Sequence, residues 1–212
     1  MPNDYLVKQY MKPEYERVGY EMSAMERMWA EIPQMTLDAA RVFLKHITRE
    51  PQFVLTHILP HALSTARAAE PIIVATYGAR EATTCLQVFV WPAGAATPIH
   101  DHTAWGAYQC VLGSLSEERY VRVDEDRTTD VARLRKDWQR HWYPEDGASA
   151  VGAYDAGIHR VTNLSRKLAI SVHMYGPRSG ALDGRDYDPR RNYVCDRIEG
   201  DEFNRGLPAL YL

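Results

Sequence analysis

From residue 71 onward the chain is a succession of short β-like runs separated by turn residues, and this pattern restricts the fold more than any other feature. Residues 72–77 and 84–91 are rich in β-branched and aromatic side chains and predict a hairpin. Gly, Pro, Asn and Asp then punctuate further predicted strands around 107–112, 117–123, 150–154, 158–163 and 168–175. Many short strands at this spacing are typical of an antiparallel sandwich or barrel of the jelly-roll kind. The sequence therefore predicts a mainly β fold.

The residues before this region predict helices instead. Apolar side chains recur at three- and four-residue spacing between Tyr15 and Trp29, which indicates an amphipathic helix. A second helix is predicted to start at Thr36 and to end at Pro51, and a third to cover roughly 53–68. These helices could pack on the barrel or form a surface for a homo-oligomer, and the sequence leaves both open.

The chain after the last predicted strand is rich in Arg, Asp, Gly and Pro and is predicted to be ordered loop. The charged stretch 124–140 is predicted to be a solvated excursion between strands. The expected organisation is a helical segment over 1–70 packed on the barrel, a barrel over 71–178 that holds the metal site, and a loop-rich wrap over 179–212.

Composition limits the partners and the location. A net charge of −3 over 212 residues gives no electrostatic footprint for nucleic acid or for an anionic membrane. No apolar run reaches transmembrane length, and the first residues lack the layout of a signal peptide. Cys85, Cys110 and Cys195 form no CxxC pair, so reduced thiols are expected. We expect a cytoplasmic protein that binds neither nucleic acid nor membrane.

Three histidines on two predicted strands are the strongest candidates for chemistry. His100 and His102 are two residues apart, so on extended chain both imidazoles lie on the same face. His159 belongs to a second β-like segment. Imidazole ligands suit iron, zinc, copper and nickel alike, while a structural zinc would normally need a fourth protein ligand. The pattern predicts a metal site with open coordination positions.

A polar row follows on the next predicted strand. Ser171, His173 and Tyr175 alternate with aliphatic residues, so they share one face of the strand. If this face lines the barrel interior, its polar groups need hydrogen-bond partners or a function. If it faces solvent, they need neither. Periodicity alone leaves both interpretations open.

The histidine spacing resembles the two motifs of the cupin superfamily, whose members are double-stranded β-barrels that hold a metal inside. The pattern G-x5-H-x-H-x3-E-x6-G is matched by Gly94, His100, His102 and Gly113, and H-x3-N is matched by His159 and Asn163. Where many cupins place a ligating Glu, this chain has Gly106. The resemblance implies a cupin jelly roll preceded by N-terminal helices.

A closer resemblance covers roughly residues 70–178. The runs Gly157-Ile158-His159-Arg160-Val161 and Ser171-Val172-His173-Met174-Tyr175 look like the paired signature of the thiol dioxygenases, the cysteine dioxygenase family. The resemblance implies Fe(II) bound by His100, His102 and His159, and a relay formed by Ser171, His173 and Tyr175. It implies O2-dependent oxidation of a small mercapto-carboxylic acid, such as 3-mercaptopropionate or cysteine, to its sulfinic acid.

The substrate-binding residues follow the family pattern less closely. Where the family places a carboxylate-binding Arg on an early strand, this chain has the apolar run 72–74, and no Cys stands where mammalian-type members crosslink the relay Tyr. The Trp105-Gly106 pair is similar to the bacterial 3-mercaptopropionate dioxygenase branch, in which an Arg after the relay Tyr holds the carboxylate. The resemblance makes Arg178, Arg185 and Tyr77 the substrate-binding candidates.

Two other functions stay open at this stage. The same three-histidine metal could support another cupin reaction, such as carbon–carbon cleavage or isomerisation. The chain could also be a non-catalytic ligand-binding cupin. Thiol-dependent uptake of O2 would distinguish a thiol dioxygenase from both of these alternatives.

Overall fold

The computed structural model describes residues 35–62, 70–77, 84–125, 130–177 and 182–198. Helix α1 spans Leu37–Ile47 and begins where the sequence predicts, because the Thr36 side chain accepts a hydrogen bond from the backbone N–H of Ala39. A second helical segment, α2, is α-helical over Pro51–Phe53, π-helical over Val54–Ile58 and α-helical over Leu59–Ala62. The predicted helix between Tyr15 and Trp29 lies outside the described residues.

Eleven strands and one short 3-10 helix, Tyr154–Ala156, follow in the described part of the chain. The strands are β1 Ile72–Tyr77, β2 Cys85–Trp91, β3 Ile99–His100, β4 Gly106–Leu112, β5 Leu115–Arg122, β6 Leu134–Trp142, β7 Ser149–Val151, β8 His159–Thr162, β9 Ala169–Tyr175, β10 Leu182–Asp188 and β11 Tyr193–Ile198. One sheet has the order β1-β2-β9-β4-β7 and the other β11-β10-β3-β8-β5-β6. The strand pairs are antiparallel. The predicted mainly β fold of two antiparallel sheets preceded by helices is confirmed.

Strand β9 is covered on both of its faces. Ile170, Val172 and Met174 are fully buried and belong to the same apolar cluster as Leu44 of α1. The opposite face, which carries Ser171, is also buried. The interpretation that the polar row faces solvent is therefore wrong, because α1 occupies the outer side of the sheet and leaves the polar row inside.

The tail after the barrel was predicted to be loop, and this prediction is wrong for residues 182–198. Strand β10 pairs with β3, where Asp186 lies opposite His100, and β11 pairs with β10. The composition is misleading here because these strands bury paired charges, such as Arg197 with Asp186 at 2.6 Å. The sheet therefore extends beyond residue 178.

The charged stretch 124–140 also contains a strand that the sequence analysis missed. Most of β6 is exposed, because it is the last strand of the six-stranded sheet. Its charged side chains therefore resemble those of a loop. Among the described residues, Cys85 and Cys110 are buried free thiols, as predicted. No helix in the described part of the chain is long and apolar enough to span a membrane.

Candidate metal centre

The three predicted histidines meet inside the barrel. His100 ends β3, His102 lies two residues further along the chain, and His159 begins β8 directly opposite His100. All three side chains are buried, and one nitrogen from each lies within 4.8 Å of the others. Two short strands from distant parts of the chain thus present three imidazole nitrogens to one point.

Hydrogen bonds determine which nitrogen of His100 and which nitrogen of His159 faces this point. Nδ1 of His100 lies 3.0 Å from the carbonyl oxygen of Pro98, and Nδ1 of His159 lies 2.8 Å from Oε1 of Glu117. Both oxygens accept hydrogen bonds, so both rings carry their proton on Nδ1. Their Nε2 atoms therefore present lone pairs inward, as metal ligands require.

The inward nitrogens fit a cation. Nε2 of His102 lies 3.3 Å from Nε2 of His159, close enough for both nitrogens to bind one metal ion. Burial and the neighbouring imidazoles hold the pKa of His100 well below its usual value, which disfavours the charged imidazolium form. Burial also lowers the pKa of His159. Three imidazoles gathered at one point are a suitable ligand set for a divalent metal ion, and His100, His102 and His159 could hold one here.

A buried carboxylate that the sequence analysis missed lies behind the centre. Glu117 of β5 is fully buried and accepts hydrogen bonds from side chains on four other strands. Oε1 accepts from His159 and Arg119, each at 2.8 Å, and Oε2 accepts from Ser149 at 2.6 Å, Trp142 at 2.9 Å and Tyr108 at 3.4 Å. The alternation of Leu115, Glu117 and Arg119 could have suggested an inward carboxylate.

These contacts keep Glu117 ionised. Burial alone would raise the pKa of its carboxyl group, but the hydrogen bond and charge of His159, the charge of Arg119 and the Ser149 hydroxyl lower that pKa to about 2. The ionised carboxylate in turn holds the Nδ1 proton and the orientation of His159. Glu117 therefore lies behind His159 and is not one of the residues placed to hold the metal ion.

Gly106 stands where many cupins have the ligating Glu, and the packing explains why. A Cβ atom at this position would lie 3.1 Å from Cγ2 of Val151 and 3.3 Å from two ring carbons of Tyr175. The Tyr175 ring thus fills the space next to the glycine. A larger side chain here would have to move the phenol.

The predicted polar row forms one hydrogen-bonded chain. The indole N–H of Trp91 donates to Oγ of Ser171 at 2.7 Å, Oγ lies 2.7 Å from Nε2 of His173, and Nδ1 of His173 lies 3.0 Å from the Tyr175 oxygen. Trp91, on the neighbouring strand β2, is the member that the sequence analysis missed. Its position at the end of a β-like run gave no signal that its indole N–H reaches Ser171.

The donors along this chain can be assigned. Burial lowers the pKa of His173 to about 3, so its ring is neutral and carries one proton. Within the described residues, the only acceptor for the Ser171 hydroxyl is Nε2 of His173, since Trp91 donates to that hydroxyl. The proton of His173 is therefore on Nδ1 and points to the oxygen of Tyr175. The phenolic hydrogen of Tyr175 is directed away from His173.

The end of this chain lies beside the metal centre. The rings of Tyr175 and His102 have centroids 5.1 Å apart. His173 is enclosed by Phe89 and Tyr108, with ring centroids at 4.3 and 5.0 Å. The arrangement places the Tyr175 phenol next to the imidazole of His102, and aromatic rings enclose the His173 ring that contacts this phenol.

The substrate-binding candidates are less clearly placed. Arg185 donates to the fully buried carboxylate of Asp101 through Nε at 2.8 Å, and to Asp155 through Nη2 at 2.7 Å. Tyr187 donates to the same Asp101 carboxylate at 2.7 Å. The guanidinium thus anchors the turn after β3. Arg178 and the side chain of Tyr77 lie outside the described residues.

The fold and the site together define a cupin with three histidines placed to hold a metal ion. The family described as cysteine dioxygenase type I matches residues 78–188, slightly more than half of the chain. The chain therefore belongs to the cysteine dioxygenase type I family.

Solved structures to which the chain is similar include the following three. The Thermus thermophilus protein TT1209 is 16% identical, with a TM-score of 0.40, covering 55% of this chain and 91% of its own. A cupin superfamily protein of Desulfitobacterium hafniense is 15% identical, with a TM-score of 0.38, covering 54% and 84%. The Schizosaccharomyces pombe Cnp3 cupin domain is 14% identical, with a TM-score of 0.34, covering 53% and 65%.

Proposed function

We propose that the protein is a non-heme Fe(II) thiol dioxygenase that oxidises a small mercapto-carboxylic acid to its sulfinic acid with O2. The observation that carries the proposal is the oriented phenol of Tyr175 beside three imidazoles that have no carboxylate among them. Fe(II) held by His100, His102 and His159 would supply the redox chemistry and favour the thiolate form of the substrate.

The protein's own groups position the reactants. The Tyr175 oxygen accepts a hydrogen bond from Nδ1–H of His173. The O–H of Tyr175 is therefore directed away from His173 and would donate to a polar atom bound in the site. Ser171 and Trp91 fix the ring of His173, and the low pKa of that ring keeps it neutral. Tyr175 thus acts as a hydrogen-bond donor held in one direction, which is the kind of group that stabilises developing negative charge.

Carboxylate recognition is proposed for Arg178 or Arg185, with Tyr77 as a further contact. The Arg185 side chain is 20% exposed and faces Asp155, which is 22% exposed, whereas Asp101 on its other side is fully buried. A substrate carboxylate would therefore reach Arg185 from the Asp155 side. Separate Arg178→Gln and Arg185→Gln variants distinguish the two. Substitution of the arginine that binds the carboxylate should raise KM for 3-mercaptopropionate. It should leave KM for cysteamine, which has no carboxylate, unchanged.

The test of the function is O2 uptake by anaerobically purified, Fe(II)-loaded protein. Cysteine, 3-mercaptopropionate, mercaptosuccinate and cysteamine form the substrate panel, and mass spectrometry identifies the sulfinate. We expect sulfinate from at least one carboxylate thiol, loss of it in His100→Ala, and retention in His141→Ala, whose side chain lies on the exposed strand β6. No uptake with any thiol at full iron content would reject the proposal and favour another cupin reaction or a binding role.

A further inference from the structure

A cleft that takes no part in the proposed function opens between the free edges of the two sheets. It lies between β6 of one sheet and β7 of the other and has a volume of about 570 Å³. This volume is within the range of small-molecule sites. Three arginines and two tryptophans dominate its lining, and these are Arg41, Arg119, Arg140, Trp138 and Trp142.

The guanidinium groups keep donors available to a ligand. Nε and Nη2 of Arg119 are bound to protein oxygens, while its Nη1 makes no hydrogen bond within the described part of the chain. The nearest carboxylate to Arg140 in those residues is Asp146 at 3.6 Å, and Arg41 lies 3.8 Å from Asp38. Both distances exceed a normal hydrogen bond. Each of the three guanidinium groups therefore retains N–H donors that the described protein oxygens do not occupy.

The two tryptophans of the cleft lie against its arginines, and Trp138 is the one with an exposed surface. The Arg119 guanidinium lies 5.2 Å from the centroid of the Trp138 ring, and that of Arg140 lies 4.1 Å from the centroid of the Trp142 ring. Trp138 keeps 39% of its surface exposed although it is large and apolar. Indole faces next to guanidinium planes suit a planar ligand that carries a negative charge.

We propose that this cleft is a second binding site, for a small organic anion with a carboxylate on a planar body. The carboxylate would bind Arg119 and Arg140, and the planar part would pack on Trp138. The proposal needs neither thiol nor O2, so it stands or falls separately from the dioxygenase function.

The floor of the cleft is connected to the metal centre. Trp142, Ser149 and Arg119 all line the cleft, and all three donate hydrogen bonds to Glu117. Glu117 in turn accepts from the Nδ1 of His159. An anion that shares Arg119 with Glu117 therefore contacts the groups that hold one metal ligand in place.

Calorimetric titration of the metal-loaded protein with benzoate tests the site. Benzamide, the uncharged analogue of the same shape, and inorganic phosphate, a compact anion, are the comparison ligands. We expect saturable benzoate binding at one site per chain, and weaker binding of both comparison ligands. Arg140→Gln should weaken benzoate binding about tenfold, because it removes a charge-assisted hydrogen bond to the carboxylate. Trp138→Leu should weaken it to a similar extent, because it removes the aromatic contact with the ring.

The matched control is Arg135→Gln, an exposed arginine of the same strand that does not line the cleft. It should leave benzoate binding unchanged. Benzoate binding no tighter than that of benzamide, or unaltered in both cleft variants, overturns the proposal. Binding that survives in Arg140→Gln and Trp138→Leu but disappears in His100→Ala belongs to the metal centre and overturns it as well. Circular dichroism of each variant confirms that its fold is retained.

Discussion

Replacing Glu117 by Gln keeps the size of the side chain and removes one negative charge from behind His159. The carboxylate accepts from two donors at Oε1 and from three at Oε2. An amide offers one oxygen and one NH2 group, so one of these two sets of donors must face hydrogen atoms. The variant therefore creates a hydrogen-bond conflict in the barrel interior whichever way the amide turns.

The two orientations of the amide differ in how many hydrogen bonds they lose. At the Oε1 position the NH2 group would face Arg119, which can only donate, and the protonated Nδ1 of His159. At the Oε2 position only the indole of Trp142 is unable to accept, because the two hydroxyl groups there can rotate. We expect the amide oxygen to remain toward His159. One buried N–H then loses its acceptor, the hydrogen bond from His159 becomes an ordinary one, and the hydrogen bond from Arg119 loses the negative charge of its acceptor.

These losses set the expected magnitudes. An unsatisfied buried donor costs about 1–3 kcal/mol, and each of the two weakened hydrogen bonds about 1 kcal/mol, so the free energy of unfolding should fall by about 3–5 kcal/mol. Metal affinity should fall about 10–100-fold, because His159 becomes a weaker and less firmly oriented ligand. Urea unfolding measures the first quantity, and anaerobic competition with a chelator for Fe(II) measures the second.

The neighbouring residue provides a matched control. Glu118 points to the opposite face of β5, where its partially exposed side chain contacts Lys136 and accepts from Tyr120. Glu118→Gln should change the free energy of unfolding by less than about 1 kcal/mol and leave metal affinity unchanged. Equal metal affinity in Glu117→Gln and Glu118→Gln would refute the reasoning.

Three further predictions concern the polar row and its surroundings. Trp91→Phe removes the indole donor to Ser171, so we expect kcat to fall about 2–10-fold at unchanged iron content; an unaltered kcat would show that the donor is not needed. Gly106→Ala places a methyl group against the Tyr175 ring, which should lower the free energy of unfolding by about 1–3 kcal/mol in urea and reduce kcat, while metal affinity is retained. The third is a pH dependence. Because burial lowers the pKa of His173 to about 3, the unfolded chain takes up a proton below pH 6.5 that the folded protein does not, so stability falls as the pH decreases toward about 3. His173→Gln should remove up to about 1.4 kcal/mol per pH unit from this slope in urea unfolding between these pH values, and an unchanged slope would contradict the assignment.

The sequence predicts the parts of the site that depend on local geometry. His100 and His102 share a face because alternation along extended chain is independent of the rest of the fold. The same alternation groups Ser171, His173 and Tyr175. Whether that face is inside could not be read from the strand, because it depends on α1, which covers the opposite side.

The features that the sequence does not predict are those in which buried charged groups form ion pairs and hydrogen bonds with one another. Glu117 is held by donors from β4, β6, β7 and β8, and such partners are brought together only by the complete barrel. In the same way, Arg197 pairs with Asp186, and Arg185 with Asp101, within strands whose composition is that of a loop. Hydrophobic periodicity identifies strands that bury apolar groups, and it fails where strands bury ion pairs.

Strand β9 has a consequence for how this protein loses activity. One strand carries both the residues that contact α1 and the residues that orient Tyr175, and it lies between β2 and β4 in the middle of its sheet. Its amide hydrogens should be among the slowest to exchange with solvent, because local opening of a central strand requires the neighbouring strands to separate. The relay thus belongs to the most cooperative unit of the fold. Activity and global structure should disappear together in denaturant, with no populated state in which the barrel is intact and the relay is loose.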